Sequence, residues 1–170
     1  MLVALVAAAV LSGAPPNFTE AKVLEPAASY VAGKPVSVYC ARTDLDLREY
    51  AQSAYGLAAN FELGFAVVGS DSIYLGQSVC WPLLDFLKHR KVTYAEVASA
   101  LQALVHEAIH ARGERDEGVT ECDAMHETPR VAVRFFKLKP GKRLRAFMAE
   151  AWSAYDALQP QYQTVCGPPR

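Results

Sequence analysis

The stretch from Val92 to Gly113 constrains this chain more than any other. Thr93-Tyr94-Ala95-Glu96 is a capping box, in which the threonine hydroxyl accepts from the Glu96 amide and the Glu96 carboxylate reaches back to the threonine amide. Val92 and Val97 stand where a hydrophobic staple closes over such a start. Val97, Leu101, Leu104, Val105 and Ala108 then recur at helical spacing. Gly113 follows Arg112 and supplies the left-handed turn that ends a helix. The spacing therefore predicts a helix from Thr93 to Arg112.

The rest of the composition suits one folded domain. The chain has 170 residues, 52% of them apolar and 21% charged, which is enough to close a single core. Its net charge is -1, so no single-sign field exists to attract a nucleic acid or a membrane surface. The late basic cluster of Lys137, Lys139, Lys142, Arg143 and Arg145 reads as a solvated face.

Met1 to Ser12 is almost wholly aliphatic. The run is too short for a hydrocarbon core of about 30 Å, and Ser12-Gly13-Ala14 offers small residues to a signal peptidase. Residues 1–16 are therefore expected to be a signal peptide, although no Lys or Arg precedes the apolar run and a buried N-terminal helix is the competing reading. Four widely spaced cysteines with no Cys-x-x-Cys pair fit two disulfides in an exported, extracytoplasmic protein. Cys40–Cys80 and Cys122–Cys166 are the favoured pairs, since each would staple a terminal segment onto the core.

Residues 17–35, with Pro26 and no clear period, read as an irregular lead-in, and 36–170 as one domain. Val36 to Cys40 alternates as a strand, and Thr43 to Asn60 reads as a helix capped by Thr43 or Asp44. Phe65 to Val68 and Ser72 to Leu75 flank a Gly69 turn and read as a hairpin. Pro82 to His89 is a short helical piece, a helix runs from Asp116 towards Pro129, and a last one covers Lys142 to Leu158. Short strands with longer helices make this an α+β chain.

The chemistry sits in His106-Glu107-Ala108-Ile109-His110. Residues four apart share a helix face, so the two imidazoles can direct their Nε2 atoms at one zinc ion. Glu107, one residue round, stands beside a zinc-activated water and can take its proton as general base. A catalytic zinc needs a third protein ligand and an open position. Four candidates follow the motif: Asp116, Glu117, Glu121 and His126. Gly113 turns the chain into an antiparallel αα-hairpin, and counting back from that turn sets residues near 119 to 121 opposite the histidines. Glu121 is preferred on that count, then Glu117, then Asp116, with His126 last; Glu117 or Asp116 would then orient a ligand histidine.

With those residues in view, the chain resembles the gluzincin metallopeptidases, the clan typified by thermolysin. The hairpin, the His-Glu-x-x-His helix and a following glutamate helix carry the likeness, and Glu121-Cys122-Asp123-Ala124 is similar to the clan's Glu-x-x-Ala. His106 to Ala124 also resembles a group of small secreted actinobacterial minigluzincin-like proteins of unassigned function. The resemblance spans Ile73 to Met125 and implies a small zincin-like domain, with an antiparallel hairpin packed on the motif helix. It implies a secreted zinc metallopeptidase acting on a peptide or protein substrate laid along Ile73-Tyr74-Leu75 as the edge strand. Gly113-x-x-Asp116 departs towards the metzincin pattern, and Tyr155 and Tyr162 are oxyanion candidates by residue type alone. The alternative function is a non-catalytic module that binds metal or a partner on the same scaffold.

Overall fold

In chain order the elements are β1 (Phe18–Glu20), α1 (Glu25–Ala32), β2 (Ser37–Ala41), α2 (Asp44–Tyr55), β3 (Gly64–Ala66), β4 (Ser72–Leu75), α3 (Gln77–Leu87), α4 (Tyr94–Arg112), α5 (Glu117–Arg134) and α6 (Lys142–Asp156). The computed structural model describes residues 14–57, 63–156 and 166. The fold is α+β, with a four-stranded mixed sheet in the order β1-β2-β4-β3.

Period-two alternation sorts the sheet's side chains between two cores. Val38, Cys40, Ile73 and Leu75 face the larger core, which α1, α3, α4, α5 and α6 complete. Tyr39, Ala41, Phe65 and Tyr74 face the opposite way, where Leu47 and Ala51 of α2 cover them. The sheet thus lies between α2 and the helical layer. Within that layer α4 is central: it packs on α1, α3, α5, α6, β3 and β4. Val97, Leu101, Ile109 and Ala108 are fully enclosed, and each large aliphatic side chain among them contributes about 1.5–3 kcal/mol by leaving water.

Residues 17–35 are not irregular. Phe18 pairs with Ala41 to start β1 antiparallel to β2. Pro26 lies in the first turn of α1, where a missing N–H costs nothing and the fixed φ favours the helix. Ala27, Ala28, Val31 and Ala32 bury, and Gly33 closes the helix at φ 69°. The sheet is also not purely antiparallel, because β4 pairs in parallel with β2 and antiparallel with β3. In consequence Ile73-Tyr74-Leu75 is an inner strand, and β3 (Gly64–Ala66) is the outermost described strand on this side. Helix α3 begins at Gln77, earlier than the expected Pro82, which it carries internally. Asp44, the first residue of α2, accepts from both the amide and the hydroxyl of Ser78 at 3.0 and 3.1 Å, closing the start of α3 from outside.

Both expected disulfides are present. Cys40–Cys80 ties β2 to α3 with Cα atoms 5.8 Å apart, and Cys122–Cys166 ties α5 to the C-terminal segment at 5.3 Å. Among the described residues no helix is long and apolar enough to cross a membrane. Most of the expected signal segment (residues 1–13), the end of the last expected helix and Tyr162 lie outside the described residues.

Candidate metal centre

The capping box forms as its residues dictate. Thr93 Oγ1 accepts from the Glu96 amide at 3.2 Å, and Glu96 accepts from the Thr93 amide at 2.9 Å. From that fixed start the last two turns of α4 carry His106, Glu107 and His110. Gly113 then turns the chain at φ 124°, a conformation that disfavours any Cβ. Only Gly113 to Asp116 separate the two helices. Glu114 holds this short connection by accepting from the amides of Arg115 and Asp116 at 2.7 and 3.0 Å. The carboxylate of Asp116 accepts from the Val119 amide at 2.9 Å and so caps α5 rather than facing the histidines.

Both imidazoles are held through Nδ1. That of His110 lies 2.9 Å from the Glu114 carbonyl, and that of His106 lies 2.7 Å from Oε2 of Glu121. A carbonyl or a carboxylate can only accept, so each Nδ1 carries the proton and donates it. In neutral rings the Nε2 atoms are then bare lone pairs. They stand 3.0 Å apart, and Oε2 of Glu117 lies 3.1 Å from one and 3.3 Å from the other. Three electron-rich atoms this close repel unless a cation or added protons come between them.

The triangle has the size that zinc requires. Tetrahedral zinc with ligands at about 2.0–2.1 Å sets them about 3.3 Å apart. His106 Nε2, His110 Nε2 and Glu117 Oε2 would hold such an ion, and zinc with three protein ligands keeps a further position for water. His106, His110 and Glu117 therefore form one of two groups of the described residues whose geometry suits a metal ion.

Counting back from the Gly113 turn favours Glu121 as the third ligand; the structure sets Glu117, not Glu121, within 3.1–3.3 Å of both Nε2 atoms. The connection after Gly113 is so short that Glu117, in the first turn of α5, comes level with both Nε2 atoms. Glu121, one turn further, falls behind His106. Its carboxylate is buried and accepts from Nδ1–H of His106 and from the side-chain amide of buried Gln102. Gln102 precedes His106 by one helical turn, and no motif marks it. The signal that could have found it is a polar residue on the apolar side of α4.

Glu107, one residue round the helix from His106, packs against β3. It is 8% exposed, and the Ala66 amide donates to it. Gly64 makes room for it: a Cβ there would lie 3.3 Å from Cγ of Glu107, 2.9 Å from the Leu75 side chain and 3.0 Å from the Tyr74 carbonyl. The β3–β4 turn is pinned to α4 as well, with the Gly69 amide donating to the His110 carbonyl at 3.0 Å.

Charges respond to this enclosure. Burial pulls the His106 imidazole down, but the carboxylates of Glu117 and Glu121 outweigh it and hold the proton up to about 10. Burial likewise pulls His110 down, and it still moves upward, with Glu117 as the main counter-charge. The two histidines hold Glu117 down at about 2. Burial pushes Glu107 up, against the opposing pull of both histidines.

No protein family, no characterised protein and no solved structure matches this chain.

Two other candidates fall elsewhere. His126 lies beside the Cys122–Cys166 bridge, its Nε2 3.9 Å from Cys166 Sγ. Tyr155 is buried on α6, where burial and then the charge of Glu121 raise its phenol.

Proposed function

We propose that this chain is an exported zinc metallopeptidase, with His106, His110 and Glu117 as the metal ligands and Glu107 as the general base. The observation that carries the reading is the convergence of three lone-pair atoms within 3.0–3.3 Å, with both Nδ1 atoms already committed to acceptors. Zinc bound there would lower the pKa of a water to about 7 and polarise a substrate carbonyl.

The remaining steps belong to the chain's own side chains. Glu107 takes the proton from the attacking water and passes it to the leaving amine. Burial supports that double duty, because a raised carboxyl pKa favours both taking and returning a proton near neutrality. Glu121 fixes the His106 tautomer, and Gln102 fixes Glu121. Two disulfides are consistent with an extracellular setting.

The test is cleavage of a mixed set of quenched-fluorescent peptides by the zinc-loaded full chain, beside Glu107→Gln. Cleavage by wild type, abolished in Glu107→Gln while zinc is retained, is expected. A zinc-loaded wild type that cleaves nothing would remove the peptidase reading, as would a Glu107→Gln variant of equal activity.

A further inference from the structure

We propose that Cys122, His126 and Cys166 form a second, redox-gated site that takes zinc(II) once the disulfide between the two cysteines is reduced. The site is distinct from the histidine–glutamate centre and shares no ligand with it.

Cys122 and His126 are four apart on α5, so their side chains project from one face. The disulfide brings Cys166 to that face, and its Sγ lies 3.9 Å from His126 Nε2. The three donor atoms lie within 4.8 Å of one another. Zinc bound by thiolate at about 2.3 Å and imidazole at about 2.0 Å sets sulfur and nitrogen about 3.5 Å apart and the two sulfurs about 3.8 Å apart. The sulfur–nitrogen contact is already near that value. The two sulfurs must separate, and side-chain rotation can provide this with the Cα atoms left 5.3 Å apart. Two thiolates and an imidazole form a set that zinc favours, with a fourth position for solvent.

Accessibility makes the gate selective. Cys122, His126 and Cys166 are all half-buried, whereas Cys40 and Cys80 are 9% and 1% exposed between the sheet and α3. A thiol reductant therefore reaches the second bridge first. Two reductant thiols pass two electrons and two protons to the Cys122–Cys166 bond and leave as their own disulfide. Zinc then binds with release of both cysteine protons. Oxidation reverses the exchange: the S–S bond re-forms, its two electrons go to the oxidised partner, and the metal leaves.

The experiment uses the full chain, reduced mildly and without oxygen until two thiols titrate, then loaded with zinc or with cobalt(II) as a spectroscopic stand-in. The histidine–glutamate centre has no sulfur, so a thiolate-to-cobalt charge-transfer band reports only on the second site. The expected result is one further equivalent of zinc on reduction, with the cobalt band present in wild type. In His126→Ala the affinity of that further equivalent should fall by about tenfold or more, as for loss of one ligand. Two titratable thiols with no further zinc and no band would overturn the proposal. So would a band of unchanged affinity in His126→Ala, because the imidazole would then be a bystander. Glu117→Gln should leave the band in place, which separates failure here from failure of the peptidase reading.

Discussion

Oε2 of Glu121 lies 2.7 Å from Nδ1 of His106, and this contact sorts the two glutamates of α5 into different roles. It leaves Nε2 of the same ring free to meet Glu117 at 3.1 Å. Substitution should separate the roles. Glu121→Gln is expected to weaken zinc binding about 10–100-fold, as loss of a group that orients a ligand does. Glu117→Gln should weaken it more, since a ligand itself is lost. Competition with a chromophoric chelator measures both, and the reverse ranking would return Glu121 to the metal.

The metal-free protein should show a definite pH profile. His106 has its folded pKa raised from 6.5 to about 10, so its contribution is whole below 6.5 and is lost as pH rises through 10. Glu117 has its folded pKa lowered from 4.5 to about 2, so its contribution is present above 4.5 and is lost as pH falls through 2. One ion pair underlies both shifts and counts once. Urea unfolding in a chelator should show stability highest between these limits and declining above pH 6.5. Zinc affinity should move the opposite way and rise with pH, because metal and protons compete for the histidines. A stability flat from pH 6.5 to 10 would contradict the charged cluster.

Gly64→Ala should cost about 1–3 kcal/mol, the range for overpacking. Its new Cβ meets the Tyr74 carbonyl at 3.0 Å, and backbone there cannot yield without disturbing β4. It also crowds Glu107 at 3.3 Å, so turnover should fall while zinc affinity holds. Unfolding and kinetics together test this, and an unchanged variant would show that β3 does not press on Glu107.

Removing Cys40–Cys80 by paired alanines should cost about 4 kcal/mol by chain-entropy arithmetic for residues 40 apart in sequence. Denaturant midpoints measure it, and a loss below about 1 kcal/mol would mean that the sheet and α3 hold together without the bridge.

Much of this fold is written in local spacing. The capping box, the apolar stripe and Gly113 set α4, and with it the relation of His106 to His110. Both favoured disulfide pairs form, although the placement of four cysteines by itself allows three pairings. Tertiary pairing is what a single sequence cannot weigh. Helix α1 hides behind Pro26, which reads as a breaker until its place in the first turn is known. Strand β1 has three residues and exists by pairing with β2. The parallel pairing of β2 with β4 depends on contacts far apart in the chain, and it makes Ile73-Tyr74-Leu75 an inner strand, with Gly64–Ala66 the outermost described one. The choice between Glu117 and Glu121 turns on one helical turn of register, which the length of the connection decides.

Metal content, measured by elemental analysis of the purified full chain in its oxidised form, tests the metal centre most directly. One equivalent of zinc in wild type and in Glu107→Gln, with none in His106→Ala, is the expected result, because Glu107 is not one of the three converging donor residues. No zinc in wild type after supply and removal of excess would contradict the account, and would leave His106, His110 and Glu117 as an ion-pair cluster of charged imidazole and carboxylate.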